Sequence, residues 1–136
     1  MKKFLLPLLL PVLAVGFVAS VRADSSVAFN EIMYHSASNE TLLEWVELRN
    51  QMAVDVDISG WSITGGIQFT FASNTIVRGG GFKVVALSPV TMIALTGSTN
   101  IVGPFTGRLS NNGDTLRLRN NSGRVVDEVN YGVEGD

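Results

Sequence analysis

Apolar and polar residues alternate along most of the chain in short runs of period two, separated by clusters of Gly, Asn, Ser and Pro. The pattern is densest from Gly103 to Tyr131. There Phe105–Ser110, Asp114–Arg119 and Arg124–Tyr131 are divided by Asn111-Asn112-Gly113 and Asn120-Asn121-Ser122-Gly123. Asn-Gly between alternating runs favours a two-residue type I′ turn, whose central residues both need positive φ. The longer Asn-Asn-Ser-Gly cluster has the same turn chemistry. The stretch therefore predicts two successive hairpins, a three-stranded antiparallel meander. Leu116 and Leu118 face one way and Thr115, Arg117 and Arg119 the other, as in a sheet with one wet face.

The same period appears upstream. Val27–Met33 predicts a first strand with Val27, Phe29 and Met33 in phase; Glu31 shares that phase, as an edge carboxylate or an inward one paired to an arginine. A polar loop, residues 35–40, precedes a strand over Leu43–Asn50, with Val46 and Leu48 on one face and Trp45, Glu47 and Arg49 on the other. Val54, Val56 and Ile58 alternate with Asp55 and Asp57, a clean period of two. Short runs follow at Trp61–Thr64, at Ile67, Phe69 and Phe71, and at Thr75–Val77. The three glycines 79–81 predict a turn with positive φ rather than a phosphate cradle, because no Gly-Lys-Ser/Thr follows. Phe82–Leu87 is apolar on both faces apart from Lys83, as in a central strand. Ser88–Gly97 is the one stretch with helical signals, Pro89 near a start and Gly97 as a stop. The total, about nine strands spaced by about ten residues, is the pattern of an all-β sandwich or barrel.

The N-terminus departs from this pattern. Lys2 and Lys3, an apolar run from Phe4 to Ala19, and Val21-Arg22-Ala23 read as a secretory signal peptide over residues 1–23, cleaved after Ala23. The alternative is an uncleaved anchor, for which the run is short and holds Pro7 and Pro11. The domain expected is then 24–136, secreted or at the cell surface, with no membrane span after cleavage. Loss of Lys2, Lys3 and Arg22 leaves 7 basic against 12 acidic residues in 113, a net −5. That balance argues against a nucleic-acid or anionic-membrane partner. The chain has no cysteine, which removes disulfides, thiolate metal sites and cysteine nucleophiles together.

The chemistry-bearing residues are sparse. His35 is the only histidine, so no site needing two imidazoles exists, and there is no Gly-x-Ser-x-Gly elbow. Glu44 and Glu47 lie three apart and face opposite ways on a strand; one is expected at a rim and one beside Arg49. Asp55 and Asp57 share a face about 7 Å apart. With Asp114, they form a candidate calcium set, against the plainer reading of a solvated strand face and turn chemistry. Arg108, Arg117, Arg119 and Arg124 are expected to pair across strands with Asp127 or Glu128. Asn39-Glu40-Thr41 and Asn120-Asn121-Ser122 match the glycosylation acceptor pattern. No catalytic set and no cofactor site emerges.

Several segments together resemble the bacterial lamin tail domain: FNEIMYH at 29–35, EWVELRNQ at 44–51, VDISGWSITGG at 56–66, the FTF and GGGFKVV runs, and the long run 103–132. The resemblance covers essentially residues 27–132 and rests on EW-x-EL-x-N, D-x-SGW and the C-terminal run in combination. It implies an immunoglobulin-like antiparallel β-sandwich. It further implies an accessory module of an exported, often cell-surface bacterial protein, without catalytic residues to carry over. Related sequences continue past the Tyr-Gly-x-x-Gly-Asp region, so the domain is expected to be truncated at its C-terminus, Val133–Asp136 giving no cap for the sheet edge. Two functions follow as expectations: a binding or adhesion module for a protein or cell-envelope glycan partner, or the N-terminal scaffold of a larger secreted enzyme of spore-coat kinase-like, nuclease or phosphohydrolase type.

Overall fold

The computed structural model describes residues 25–34 and 42–132. The predicted signal peptide, the His35 loop with its Asn39 acceptor pattern, and Val133–Asp136 lie outside the described residues. Eleven strands and one helix form among those described. The first sheet holds β1 (Val27–Met33), β2 (Trp45–Asn50), β7 (Phe82–Ala86) and β8 (Ile101–Val102), in that spatial order. The second holds β11 (Val125–Tyr131), β10 (Asp114–Arg119), β4 (Ser62–Thr64), β5 (Ile67–Thr70) and β9 (Thr106–Gly107). A two-stranded ribbon of β3 (Val56–Asp57) and β6 (Ile76–Val77) lies apart from both.

Inward residues of the two sheets meet in one core. Val27, Val46, Leu48 and Val85 come from the first, Ile63, Ile67, Leu116 and Leu118 from the second, and all are fully buried. Ile58, Phe71, Val77, Phe105 and Leu109 close the seam from loops and short strands. Burying a side chain of this size is worth roughly 1.5–3 kcal/mol, so this seam is the main stabilising term. The all-β pattern of the alternation and the immunoglobulin-like sandwich that the resemblance implies agree with the fold observed, with eleven strands among the described residues where about nine were counted.

Four local expectations are corrected. The run 105–110 is not the first arm of a hairpin: β9 pairs with β5, and the second neighbour of β10 is β4. Phe105 and Leu109 are both buried, so this run crosses under the sheet end instead of extending the meander. Gly113 turns the chain, at φ 92° with its N–H on Ser110 O at 3.3 Å, but Asn112 does not have the positive φ of a type I′ turn. The Asn120–Gly123 turn does close the hairpin of β10 and β11. In β1 a bulge between Phe29 and Glu31 resets the phase, so Ile32 rather than Met33 packs on the core and Glu31 is exposed. Finally, the clean alternation over Val54–Ile58 yields only the two residues of β3, with Val54 62% exposed.

One strand pair is parallel. β7 is followed by α1 (Pro89–Thr96), which returns the chain so that β8 runs beside β7 in the same direction. Pro89 starts the helix, and Gly97, at φ 69°, ends it with its N–H on Ile93 O at 2.8 Å. No residue of α1 is buried. Among the described residues no helix is long and apolar enough to cross a membrane.

The two sheets are joined on one side by polar contacts between edges. Ser25 Oγ donates to Val126 O at 2.8 Å, and the Phe29 N–H donates to Asp127 Oδ2 at 2.8 Å. The second bond satisfies the amide beside the β1 bulge, a backbone donor left outside the β1–β2 ladder.

Candidate functional site

The inward face of β2 and its approach reads Glu44, Val46, Leu48, Asn50. Its two ends are the buried polar residues among those described, Glu44 7% and Asn50 0% exposed. Each must find partners in place of water. Glu44 Oε2 accepts the Leu109 N–H at 2.9 Å, and Oε1 lies 3.5 Å from Arg108 Nη1. That bond holds the 105–110 run across the sheet end. Glu44 is thus neither a rim carboxylate nor a partner of Arg49. Glu47 instead accepts from Asn30 Nδ2 at 2.7 Å, and the Arg49 guanidinium stands over the Phe82 ring, 5.5 Å from its centroid.

Asn50 organises the opposite end. Its Nδ2 donates to Val54 O at 2.8 Å, Val77 O at 2.9 Å and Arg78 O at 3.1 Å, while Oδ1 accepts the Met52 N–H at 2.9 Å. The Gly80 N–H reaches Met52 O at 2.8 Å, and the Asn50 N–H reaches Gly81 O at 2.9 Å. One buried carboxamide therefore fixes two separate loops, 51–55 and 77–81. It also explains why β3 is short: the Val54 carbonyl is turned to Asn50.

The surface hung on this clamp is unusual in composition. Met52, Val54, Ile76 and Phe82 are each at least 40% exposed. Arg78 and Lys83, with Ile76, Phe82, Thr99 and Asn100, line a cleft of about 340 Å³. Burial lowers the Lys83 ammonium below the ordinary lysine value. Asn100 Nδ2 donates to Phe82 O, tying the loop before β8 to the start of β7.

Of the residues singled out in the sequence, Asp55 falls at this end, bonded between the two loops, and Asp57 and Asp114 do not join it. Asp57 accepts from the Ser59 N–H, at 2.9 Å, and from the Ser59 hydroxyl; the hydroxyl bond first, then the amide, holds its carboxyl below the ordinary range. Asp55 Oδ1 accepts the Gly79 N–H at 3.0 Å. Asp114 lies in the other sheet, with Oδ1 on its neighbour's Thr115 N–H at 2.7 Å. Among the described residues no three His, Asp or Glu side chains gather to hold a metal ion. Arg117 pairs with Glu128 at 2.7 Å as expected, whereas Asp127 is taken by the Phe29 amide. Arg119 bonds Thr64 Oγ1 and Gly123 O, and Arg108 lies with Glu44. The arginines thus form no continuous stripe.

In the sequence Asn50 draws no notice and Glu44 reads, with Glu47, as a rim carboxylate or a partner of Arg49, because each is an ordinary polar residue at a strand end. The available signal was their phase: both share the inward face with Val46 and Leu48, where a polar side chain needs a buried partner.

Two antiparallel-rich sheets packed over one core, with polar groups confined to its two ends, define a β-sandwich domain of the immunoglobulin-like class. The chain belongs to the lamin tail domain family, whose model matches residues 20–133. A comparison with curated proteins finds no match.

Proposed function

We propose that the chain is a non-catalytic binding or adhesion module of an exported bacterial protein, with the Asn50 end as its contact surface. The observation that carries this reading is the coupling there of a fully buried clamp to a loop surface rich in exposed apolar and cationic side chains. Loops fixed before binding lose less conformational freedom on association. Exposed apolar side chains grouped at one end of a monomer mark contact surfaces more often than chance. Family membership supports a module rather than a catalyst, and the Lys-Lys apolar leader supports export.

Expression of the full chain in a bacterial host tests both parts. Mass spectrometry of released protein is expected to show a new N-terminus at Asp24, and the released protein is expected to sediment with cell-envelope material. Retention in the cytoplasm would remove the export reading. No binding to any envelope fraction, together with measurable hydrolase or transferase turnover, would overturn the module reading.

A further inference from the structure

Lys83 is a charged residue in phase with the buried Val85 of β7. It lies opposite Leu48 in the β2–β7 ladder, and directly opposed side chains share a face. Leu48 is fully buried, so the lysine stem starts on the inward side and its ammonium emerges at the sandwich rim. β8 pairs only with Val84 and Val85, so beside Phe82–Lys83 the strand gives way to the loop that Asn100 ties to Phe82 O. An inward-leaning charge protects a sheet edge against strand pairing, but edge protection does not require a second cation. Arg78 lines the same cleft, and among the described residues neither cation meets a carboxylate.

The other walls add to this. The Thr99 hydroxyl and the Asn100 carboxamide oxygen have no hydrogen-bond partner among the described residues, and both line the cleft. Ile76 and Phe82, 42% and 40% exposed, supply apolar surface. The Asn50 amide fixes Arg78 O, and hence the backbone from which Arg78 projects. Two cations with no paired carboxylate among the described residues, on a chain of net −2, favour an anion from outside. Arginine's planar fork matches carboxylate and phosphate. A cleft near 340 Å³ sits at the small end of ligand sites, room for a sugar ring rather than a folded surface. Free hydroxyl and carboxamide groups beside exposed apolar surface suit such a ring.

We propose that this cleft, between β6, β7 and the Thr99–Asn100 loop, binds an anionic sugar, its acidic group held between Arg78 and Lys83. The inference rests on the binding-module reading and names its site and ligand class. The acid is a carboxylate, as in a uronate, or a phosphate, as in a sugar phosphate.

Isothermal titration of the full chain with oligogalacturonate, glucose 6-phosphate and glucose separates these. At least one acidic probe is expected to bind and glucose not to; which acid binds assigns the source. Arg78→Gln and Lys83→Met are each expected to weaken binding at least tenfold, in line with loss of one charged hydrogen bond. Arg124→Gln, on the distant hairpin turn, is expected to change nothing. Arg78 projects from a surface loop, so its variant should fold normally and keeps the test decisive. The proposal is overturned if neither acid binds at millimolar concentration, if glucose binds equally well, or if both cleft variants bind like wild type. Persistent envelope binding with no acidic-sugar binding would sink this inference and leave the module reading standing; loss of both would remove the two together.

Discussion

Replacing Asn50 with leucine is the sharpest test of how this fold is held. Leucine keeps asparagine's branched outline but is bulkier, so the change opens no cavity and adds an overpacking cost to the lost hydrogen bonds. It removes donations to the Val54 and Val77 carbonyls at 2.8 and 2.9 Å, a weaker one to Arg78 O at 3.1 Å, and acceptance from the Met52 amide at 2.9 Å. The Arg78 carbonyl keeps its bond from the Gly81 N–H at 2.8 Å, so that loss counts least. The three stronger bonds at about 1 kcal/mol each, plus a penalty for the buried Val77 carbonyl, give ~3–5 kcal/mol. A domain near 110 residues loses about 4 °C of midpoint per kcal/mol, so a fall of roughly 12–20 °C is expected by calorimetry. Hydrogen exchange should show lost protection at Met52 and Gly80 beyond the global change. A destabilisation below about 1 kcal/mol, or uniform loss of protection, would refute the clamp.

The other expectations concern single sites. Glu44→Ala should cost ~2–3 kcal/mol by stranding the Leu109 amide, whereas Glu44→Gln should stay within ~1 kcal/mol. The gap arises because the Arg108 side chain is 57% exposed, so the hydrogen bond outweighs the charge; equal costs in urea melts would reverse that ranking. Tyr131 has a buried hydroxyl that lies near the Ser110 backbone without a well-formed hydrogen bond, so Tyr131→Phe should be neutral or stabilising by up to ~1 kcal/mol. Burial, ahead of nearby acidic groups, holds that phenol above 10.0. The unfolded chain therefore loses the proton first, and stability present below pH 10.0 declines as pH rises through the folded value; Tyr131→Phe should flatten that decline. Gly65, at φ 128°, would place a Cβ 2.3 Å from Thr115 O, while Gly80, at φ 68°, has nothing within 4 Å. Gly65→Ala should cost ~2–4 kcal/mol and Gly80→Asn less than ~1, comparable losses arguing against the close approach of the β4–β5 turn to β10. Calcium and chelator should leave the melting midpoint unchanged, since Asp55 and Asp57 are committed to the Gly79 and Ser59 amides; a rise with calcium would restore the metal reading.

Alternation made most of the sandwich readable. Leu116, Leu118, Val46, Leu48, Ile63 and Ile67 are in the core because period two and burial are the same constraint in a half-wet sheet. Turn chemistry was readable at Gly80, Gly97 and Gly123, where positive φ is required. Pairing was not. Asn111-Asn112-Gly113 announces a turn but says nothing of which strands flank it, and Glu44 reaching Leu109 across 65 positions decides that locally. The same holds for β3, cut short by Asn50, and for β1, whose bulge is set by its contact with Asp127. The cleft at Arg78 and Lys83 was invisible because its walls come from β6, β7 and the Thr99–Asn100 loop, brought together only by that packing.

The lacing of β1 to β11, between positions 98 and 101 apart, has a temporal meaning. A ribosome makes the opening strand long before its closing counterpart exists. Until then the rim at Val27–Met33 stays bare, and any chain cut short of Val125 keeps it bare permanently. Shortened products should therefore clump, while the finished polypeptide zips shut in one late event.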